Sequence, residues 1–234
     1  MNDNERYDRQ RLLPEIGDEG QRRLQAARVL IVGVGGLGSP VALYLAGAGV
    51  GTIGLADADT VSLSNLQRQV LYTEAEVGQP KALRAQARLQ ALNSGINVVA
   101  HPCFLTRENA ADLIGRYDIV VDGCDNFATR YLINDTCIAL GKVYVYGAIS
   151  ALSCQVSVFN HQGRHSYRDL FPDGDEPAGA SPRPPQGVVG LTPGLTGCVQ
   201  AGEVLKLICG YGEVLSGKLW QMDLKTMKST IILL

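Results

Sequence analysis

The sequence predicts an α/β fold, a Rossmann-like mixed β-sheet flanked by helices, with a parallel nucleotide-binding half followed by antiparallel C-terminal strands. Three observations carry this. A glycine turn from Gly33 to Gly38 separates a short apolar run from a helical pattern. Short β-branched runs then alternate with helical stretches as far as residue 147, and beyond Gly147 the apolar period changes to two.

Taken in order, residues 1–27 form an arm. Leu12, Leu13, Ile16 and Leu24 recur there among many charges, as expected of amphipathic helices lying on another surface. At Arg28 the pattern becomes RVLIV, then GVGGLGS, then PVALYLAGAGV, which is a strand, a turn and a helix ending in glycine. TIGLA supplies a second strand. Later runs, DIVVD at 118–122 and VYVYG at 143–147, bracket an amphipathic helix from Phe127 to Leu140. Such alternation implies parallel strands covered on both faces. CQVSVFN alternates with period two and reads as antiparallel strand. Residues 171–193, with the run SPRPPQG, read as a long crossover loop. Helical spacing returns over 195–209, and two strands around a turn near Lys225 and Thr226 end the chain. We therefore expect one domain over 1–234, with an arm (1–27), a nucleotide-binding half (28–147) and a second half (148–234).

The chain has 234 residues, 46% hydrophobic and 19% charged, and contains no run of about 18 uncharged apolar residues such as a membrane span needs. A formal net charge of −2 offers no footprint for nucleic acid or an acidic membrane. The start, MNDNERYDRQ, lacks the basic-then-apolar order of a signal peptide, so the cytoplasm is expected. Cysteines stand at 103, 124, 137, 154, 198 and 209, without any paired CxxC spacing; zinc is not expected.

Gly33, Gly35 and Gly38 form GxGxxG between strand and helix, where backbone N–H groups at a helix N-terminus can receive phosphate. Asp57, which ends the second strand, can accept hydrogen bonds from ribose hydroxyls. Alone, this arrangement favours a dinucleotide dehydrogenase. The following segment, DADTVSLSNLQRQVLY, adds Asn65, Gln67, Arg68 and Gln69, a polar cluster that hydride transfer does not require. Carboxylate adenylation does require cations at the phosphates and a metal ion at the departing pyrophosphate. Arg68 and Lys81 suit the first need. Asp122 or Asp125, after the fourth strand, suits the second, although Asp125 and Asn126 also stand where an N-cap for the helix from Phe127 belongs.

RYDRQ at 6–10, VLIVGVGGLGSP, DADTVSLSNLQRQ, VGQPK, DGCDN, GLTPGLTG and SGKLWQMD together resemble the ThiF/MoeB/HesA family, the bacterial relatives of ubiquitin-activating enzymes, over nearly the whole chain. The resemblance implies a homodimer that binds ATP and Mg²⁺ and adenylates the terminal Gly-Gly of a ThiS- or MoaD-like ubiquitin-fold sulfur carrier. The reading leans to ThiS and thiamine biosynthesis, with MoaD and molybdopterin synthesis as the alternative; a nucleotide-dependent dehydrogenase and a non-catalytic carrier-binding subunit stand further off. Carried over, Gly33, Gly35, Gly36 and Gly38 shape the phosphate loop, Asp57 holds ribose, Arg68 and Lys81 contact phosphates and Asp125 serves the metal. Asn65, Gln69 and Asn126 line the same pocket, and Arg9 reaches across the dimer into the neighbouring site. The second half then becomes the carrier-binding half. Two departures stand out. Ser166-Tyr167-Arg168-Asp169 occupies the place of one zinc-binding CxxC pair, the other pair being absent, and residues 171–197 lack the cysteine that many members use in covalent sulfur chemistry. Cys198 stands just beyond, inside an apolar helical pattern.

Overall fold

The structure, a computed structural model, describes residues 3–172 and 187–234. Two helices, α1 (Asp3–Arg11) and α2 (Gly17–Ala26), precede β1 (Arg28–Val32), α3 (Gly38–Ala48) and β2 (Thr52–Ala56). Next come α4 (Lys81–Leu92), β3 (Asn97–His101), α5 (Ala110–Gly115), β4 (Ile119–Asp122) and α6 (Phe127–Leu140). The hairpin β5 (Val143–Ser150) and β6 (Ser153–Phe159) leads to α7 (Tyr167–Leu170); then follow α8 (Leu191–Cys209), β7 (Lys218–Asp223) and β8 (Lys228–Leu233). Most of the expected crossover loop, residues 173–186, lies outside the described residues.

Among the described residues, all eight strands form one sheet in the order β3-β2-β1-β4-β5-β6-β7-β8. Strands β1 to β5 pair in parallel and β5 to β8 antiparallel, so β5 is where the sheet changes character. The mixed sheet read from the sequence is the one observed. Alternation along β1 sends Val29 and Ile31 to one face and Leu30 and Val32 to the other. The first face packs under α2, α3, α4 and α8 through Leu24, Leu45, Leu89 and Val204. The second lies against α5 and α6 and holds an aromatic group, Tyr144, Tyr146, Phe159 and Tyr167. Complete burial of a leucine or isoleucine here contributes roughly 1.5–3 kcal/mol relative to exposure, which is why these runs are apolar without alternation.

Helix α8 begins at Leu191, four residues before the helical spacing suggested. Pro193 falls in the first turn, where a missing N–H breaks no helical hydrogen bond, so proline does not stop the helix there. The Ser166–Asp169 stretch forms a capping box on α7, in which Ser166 N–H donates to Asp169 Oδ2 at 2.6 Å. Among the described residues no helix is long and apolar enough to cross a membrane.

Candidate active site

Strand β1 connects outward to β2 on one side, while β4 lies on the other, so the order reverses between β1 and β4. In open α/β sheets the crevice at the carboxyl ends of such strands receives ligands. A cleft of about 560 Å³ lies there. Its lining runs from Gly33, Gly35, Gly36, Asp57 and Lys81 near β1 and β2 to Tyr146, Ala148, Ile149 and Gln155 on β5 and β6.

The glycine turn is a steric necessity. Gly33 has φ +86°, and a Cβ on it would lie 2.7 Å from the Gly123 carbonyl oxygen; a Cβ on Gly38 would lie 2.1 Å from the Gly33 carbonyl oxygen. Tyr72 steadies the turn by donating its hydroxyl to the Val34 carbonyl at 2.8 Å. Asp57 accepts N–H groups from Val34 (2.8 Å) and Asp59 (2.9 Å), and burial raises its carboxyl pKa against the pull of those two donors.

Lys81 opens α4 and is buried, its Nζ donating to Asp59 Oδ2 at 3.1 Å. Arg68 lines the cleft and donates from Nη1 to the Ser64 carbonyl at 3.1 Å. Gln69 is buried beside it, and its Oε1 has no hydrogen-bond partner within the described protein. An orphaned buried acceptor costs about 1–3 kcal/mol, so Gln69 is held in a position that suits an incoming donor better than the empty fold.

Asp125 and Asn126 both line the cleft, but only Asn126 caps α6, its Oδ1 accepting the Thr129 N–H at 2.9 Å. The alternative assignment of Asp125 as N-cap is thereby excluded, and its carboxylate stays exposed. Asp122 is fully buried: Oδ2 accepts from Arg130 Nε (3.1 Å) and the Tyr144 hydroxyl (3.0 Å), and Oδ1 from the Cys124 N–H (2.9 Å). With those partners Asp122 is an anchor under the cleft floor. Among the described residues no three His, Cys, Asp or Glu side chains converge into a metal-holding group.

Of the residues singled out by sequence, then, Gly33, Gly35, Gly36, Asp57, Arg68, Gln69, Lys81, Asp125 and Asn126 meet around one cleft. Gly38 begins α3 behind the turn. Asn65 is not among the lining residues; its carbonyl accepts the N–H groups of Arg68 and Gln69, each at 3.0 Å, and so shapes the turn that presents them. Arg9 is exposed on α1 and does not line the cleft of its own chain.

Sequence reasoning missed Arg130, which is buried yet lines the cleft. Its Nη2 donates to the carbonyls of Cys124 (3.0 Å) and Gly147 (3.4 Å), tying the loop before α6 to β5. Burial disfavours its charge, but Asp122 beside it keeps the guanidinium protonated. A signal existed: Arg130, Ile133, Asn134 and Cys137 share one helical face by spacing, and a charge on a buried stripe requires a carboxylate. Burial raises the thiols of Cys124 and Cys198, so neither is poised as a thiolate.

A doubly wound sheet extended by antiparallel strands, with a glycine turn, an acid after β2 and cations lining the cleft at the switch point, defines a Rossmann-like domain with a candidate ligand site there. The ThiF family model matches residues 7–233, and the chain belongs to the ThiF family. It is 49% identical over 224 residues to the "Sulfur carrier protein adenylyltransferase" of Thermus thermophilus, covering 94% of this chain and 83% of that one. It is 48% identical to the mouse "Adenylyltransferase and sulfurtransferase MOCS3" over 93% of this chain but 47% of the relative, so it spans about half the length of that protein. The "Probable molybdopterin-synthase adenylyltransferase" of Porphyra purpurea is 43% identical, with 95% and 58% covered. Among solved structures, E. coli MccB with MccA-N7isoASN superposes with a TM-score of 0.87 at 24% identity, covering 99% of this chain and 72% of that one, which is a likeness of fold.

Proposed function

We propose that this chain is an ATP-dependent adenylyltransferase that activates the C-terminal glycine carboxylate of a ThiS/MoaD-like sulfur carrier. The observation that carries the reading is the single cleft that gathers a glycine turn, a ribose-type acid, Arg68, Lys81 and Asp125 and continues onto β5 and β6, where an extended peptide tail could lie. The names of the relatives from Thermus thermophilus and mouse support it.

In this reading a carboxylate oxygen of the carrier attacks the α-phosphorus of ATP. A new P–O bond forms, the bond to the β-phosphate bridge breaks, and pyrophosphate leaves with the electron pair. Arg68 and Lys81 stabilise charge on the phosphate oxygens, and backbone N–H groups of the glycine turn hold them from beneath. Asp57 orients the ribose, and Gln69 offers the acceptor it does not use in the fold. Asp125 would hold Mg²⁺, which is usually bound through one or two carboxylates plus phosphates and water, and which neutralises the leaving pyrophosphate. Lys81 is released from Asp59 or shared with it as phosphate arrives. Arg9 serves the partner's cleft in a homodimer, because it stands outside its own.

Within the carrier class we keep the ThiS-type protein and thiamine biosynthesis as the first choice. The Porphyra purpurea relative favours the second, a MoaD-type carrier for molybdopterin. ATP–pyrophosphate exchange with each carrier in turn decides between them. No exchange with either, in protein shown to bind ATP, would refute the adenylation reading, and NAD binding in place of ATP would favour the dehydrogenase.

A further inference from the structure

The first turn of α8 touches three parts of the cleft wall that are far apart in sequence. Gly190, immediately before the helix, packs on the turn that presents Arg68: a Cβ there would lie 2.3 Å from the Gln67 carbonyl oxygen and 3.2 Å from the Arg68 Cα. Gln67 in return donates from Nε2 to the Val188 carbonyl at 3.4 Å. Pro193 packs on the glycine turn, since a Cβ on Gly36 would lie 3.2 Å from the proline Cβ and 3.6 Å from the Arg68 Cγ. Thr192, wholly buried, donates its hydroxyl to the Ala151 carbonyl at 2.9 Å. Ala151, with φ +51°, is the first of the two residues that turn β5 into β6.

The Gly190–Gln67 contact is backbone against backbone, and the Gly36–Pro193 contact is backbone against a proline ring. No long side chain lies between Gly190 and Gln67, or between Gly36 and Pro193, to absorb a shift by changing rotamer, and packed interiors transmit strain where such slack is missing. Thr192 is between the two contact points, within a single helical turn. A movement of the β5–β6 turn carried by Thr192 must therefore move Gly190 and Pro193, and with them the placement of Arg68.

We propose that the first turn of α8, Gly190 to Pro193, is a positioning wedge that sets Arg68 over the glycine turn and couples its placement to the β5–β6 turn at the other end of the cleft. The functional meaning rests on the reading of Arg68 as a phosphate contact, whereas the mechanical coupling does not. Gly190 and Thr192 are positioning residues, acting through Arg68. Any ligand held along β5 and β6 then shares free energy with one at the glycine turn, and the sharing is reciprocal.

The test uses amide hydrogen exchange on the ligand-free full chain in three variants. Gly190→Ala forces a Cβ against the Gln67 carbonyl. Gly194→Ala is the control on the same helix, because a Cβ there meets nothing within 4 Å. Thr192→Val removes the hydroxyl donor and keeps the side-chain shape. Exchange of the Arg68 and Gln69 amides, which the Asn65 carbonyl holds, should rise at least about tenfold in Gly190→Ala and stay unchanged in Gly194→Ala. Thr192→Val should raise exchange both around Ala151 and at Arg68. Wild-type exchange at Arg68 in Gly190→Ala, or a Thr192→Val effect confined to the β5–β6 turn, overturns the wedge. Should Gly190→Ala fail to fold, Thr192→Val alone decides. In pyrophosphate exchange Gly190→Ala and Thr192→Val should each raise the KM for ATP about tenfold, as small misplacements of a phosphate-holding group do. A wild-type chain that binds no ATP would sink the adenylation reading while the exchange data still judged the wedge.

Discussion

Asn126, rather than its neighbour Asp125, caps α6, and Asp125 stays exposed in the cleft that Arg68 and Lys81 also line. Of two adjacent residues of nearly identical shape, one is thus committed to the helix and the other is left open to the cleft. Asp125→Ala should lower carrier-dependent pyrophosphate exchange by at least about a hundredfold, the scale for removing a group that stabilises developing charge, with little change in melting temperature. Asn126→Ala should do the reverse to stability, costing about 1 kcal/mol in chemical denaturation. Full exchange activity in Asp125→Ala would refute its assignment to the metal.

Arg130 and Asp122 are both buried and paired, so removing one leaves the other buried without its opposite charge. Arg130→Met should therefore cost about 3–5 kcal/mol of unfolding free energy, measured in urea. Arg130→Met combined with Asp122→Asn should recover part of that loss; a double variant as unstable as the sum of the single ones would mean the two act independently.

Gln69 gives opposite signs for stability and binding. Its buried Oε1 lacks a partner, so Gln69→Leu should leave the melting temperature of the ligand-free protein unchanged or raised. The same change should weaken ATP binding about tenfold in calorimetry, the worth of one hydrogen bond of about 1.4 kcal/mol. Unaltered ATP affinity would remove Gln69 from the nucleotide site.

The raised pKa of Asp57 fixes the sign of a pH effect. Burial makes its ionised form less favourable in the folded chain than in the unfolded one, so the stability it contributes is present below the unfolded pKa of about 3.9 and is lost as pH rises through the higher folded value. Melting of ligand-free wild type and Asp57→Asn, compared from acid pH upward, should show wild type losing ground to the variant. A difference that is constant across the range would contradict the assignment.

Arg9 is tested by mixing two inactive proteins, Arg9→Ala and Asp125→Ala. If Arg9 acts in the partner's cleft, each heterodimer holds one site with both groups intact, and mixing restores up to about half of wild-type activity per heterodimer. No recovery, with subunit exchange verified by mass spectrometry, would refute the shared site.

The sequence by itself determined the unit from β1 through the glycine turn to α3, the mixed character of the sheet, and the residue types that meet in the cleft. Each is written within a few neighbouring residues: a strand period, a glycine where φ is positive, an acid just after a strand, and side-chain spacing along one helix face. Only the tertiary structure decided that Asp122 is an anchor for Arg130 and Tyr144 while Asp125 stays open, that Lys81 is buried against Asp59, and that Asn65 shapes the Arg68 turn without lining the cleft. It also decided that α8, more than a hundred residues downstream, closes on the Gln67–Arg68 turn and the glycine turn. Those relationships depend on strand order and on how far each helix slides along the sheet. A carboxylate pairs with whichever cation that packing brings within about 3 Å, and no local pattern in either segment records which one it will be.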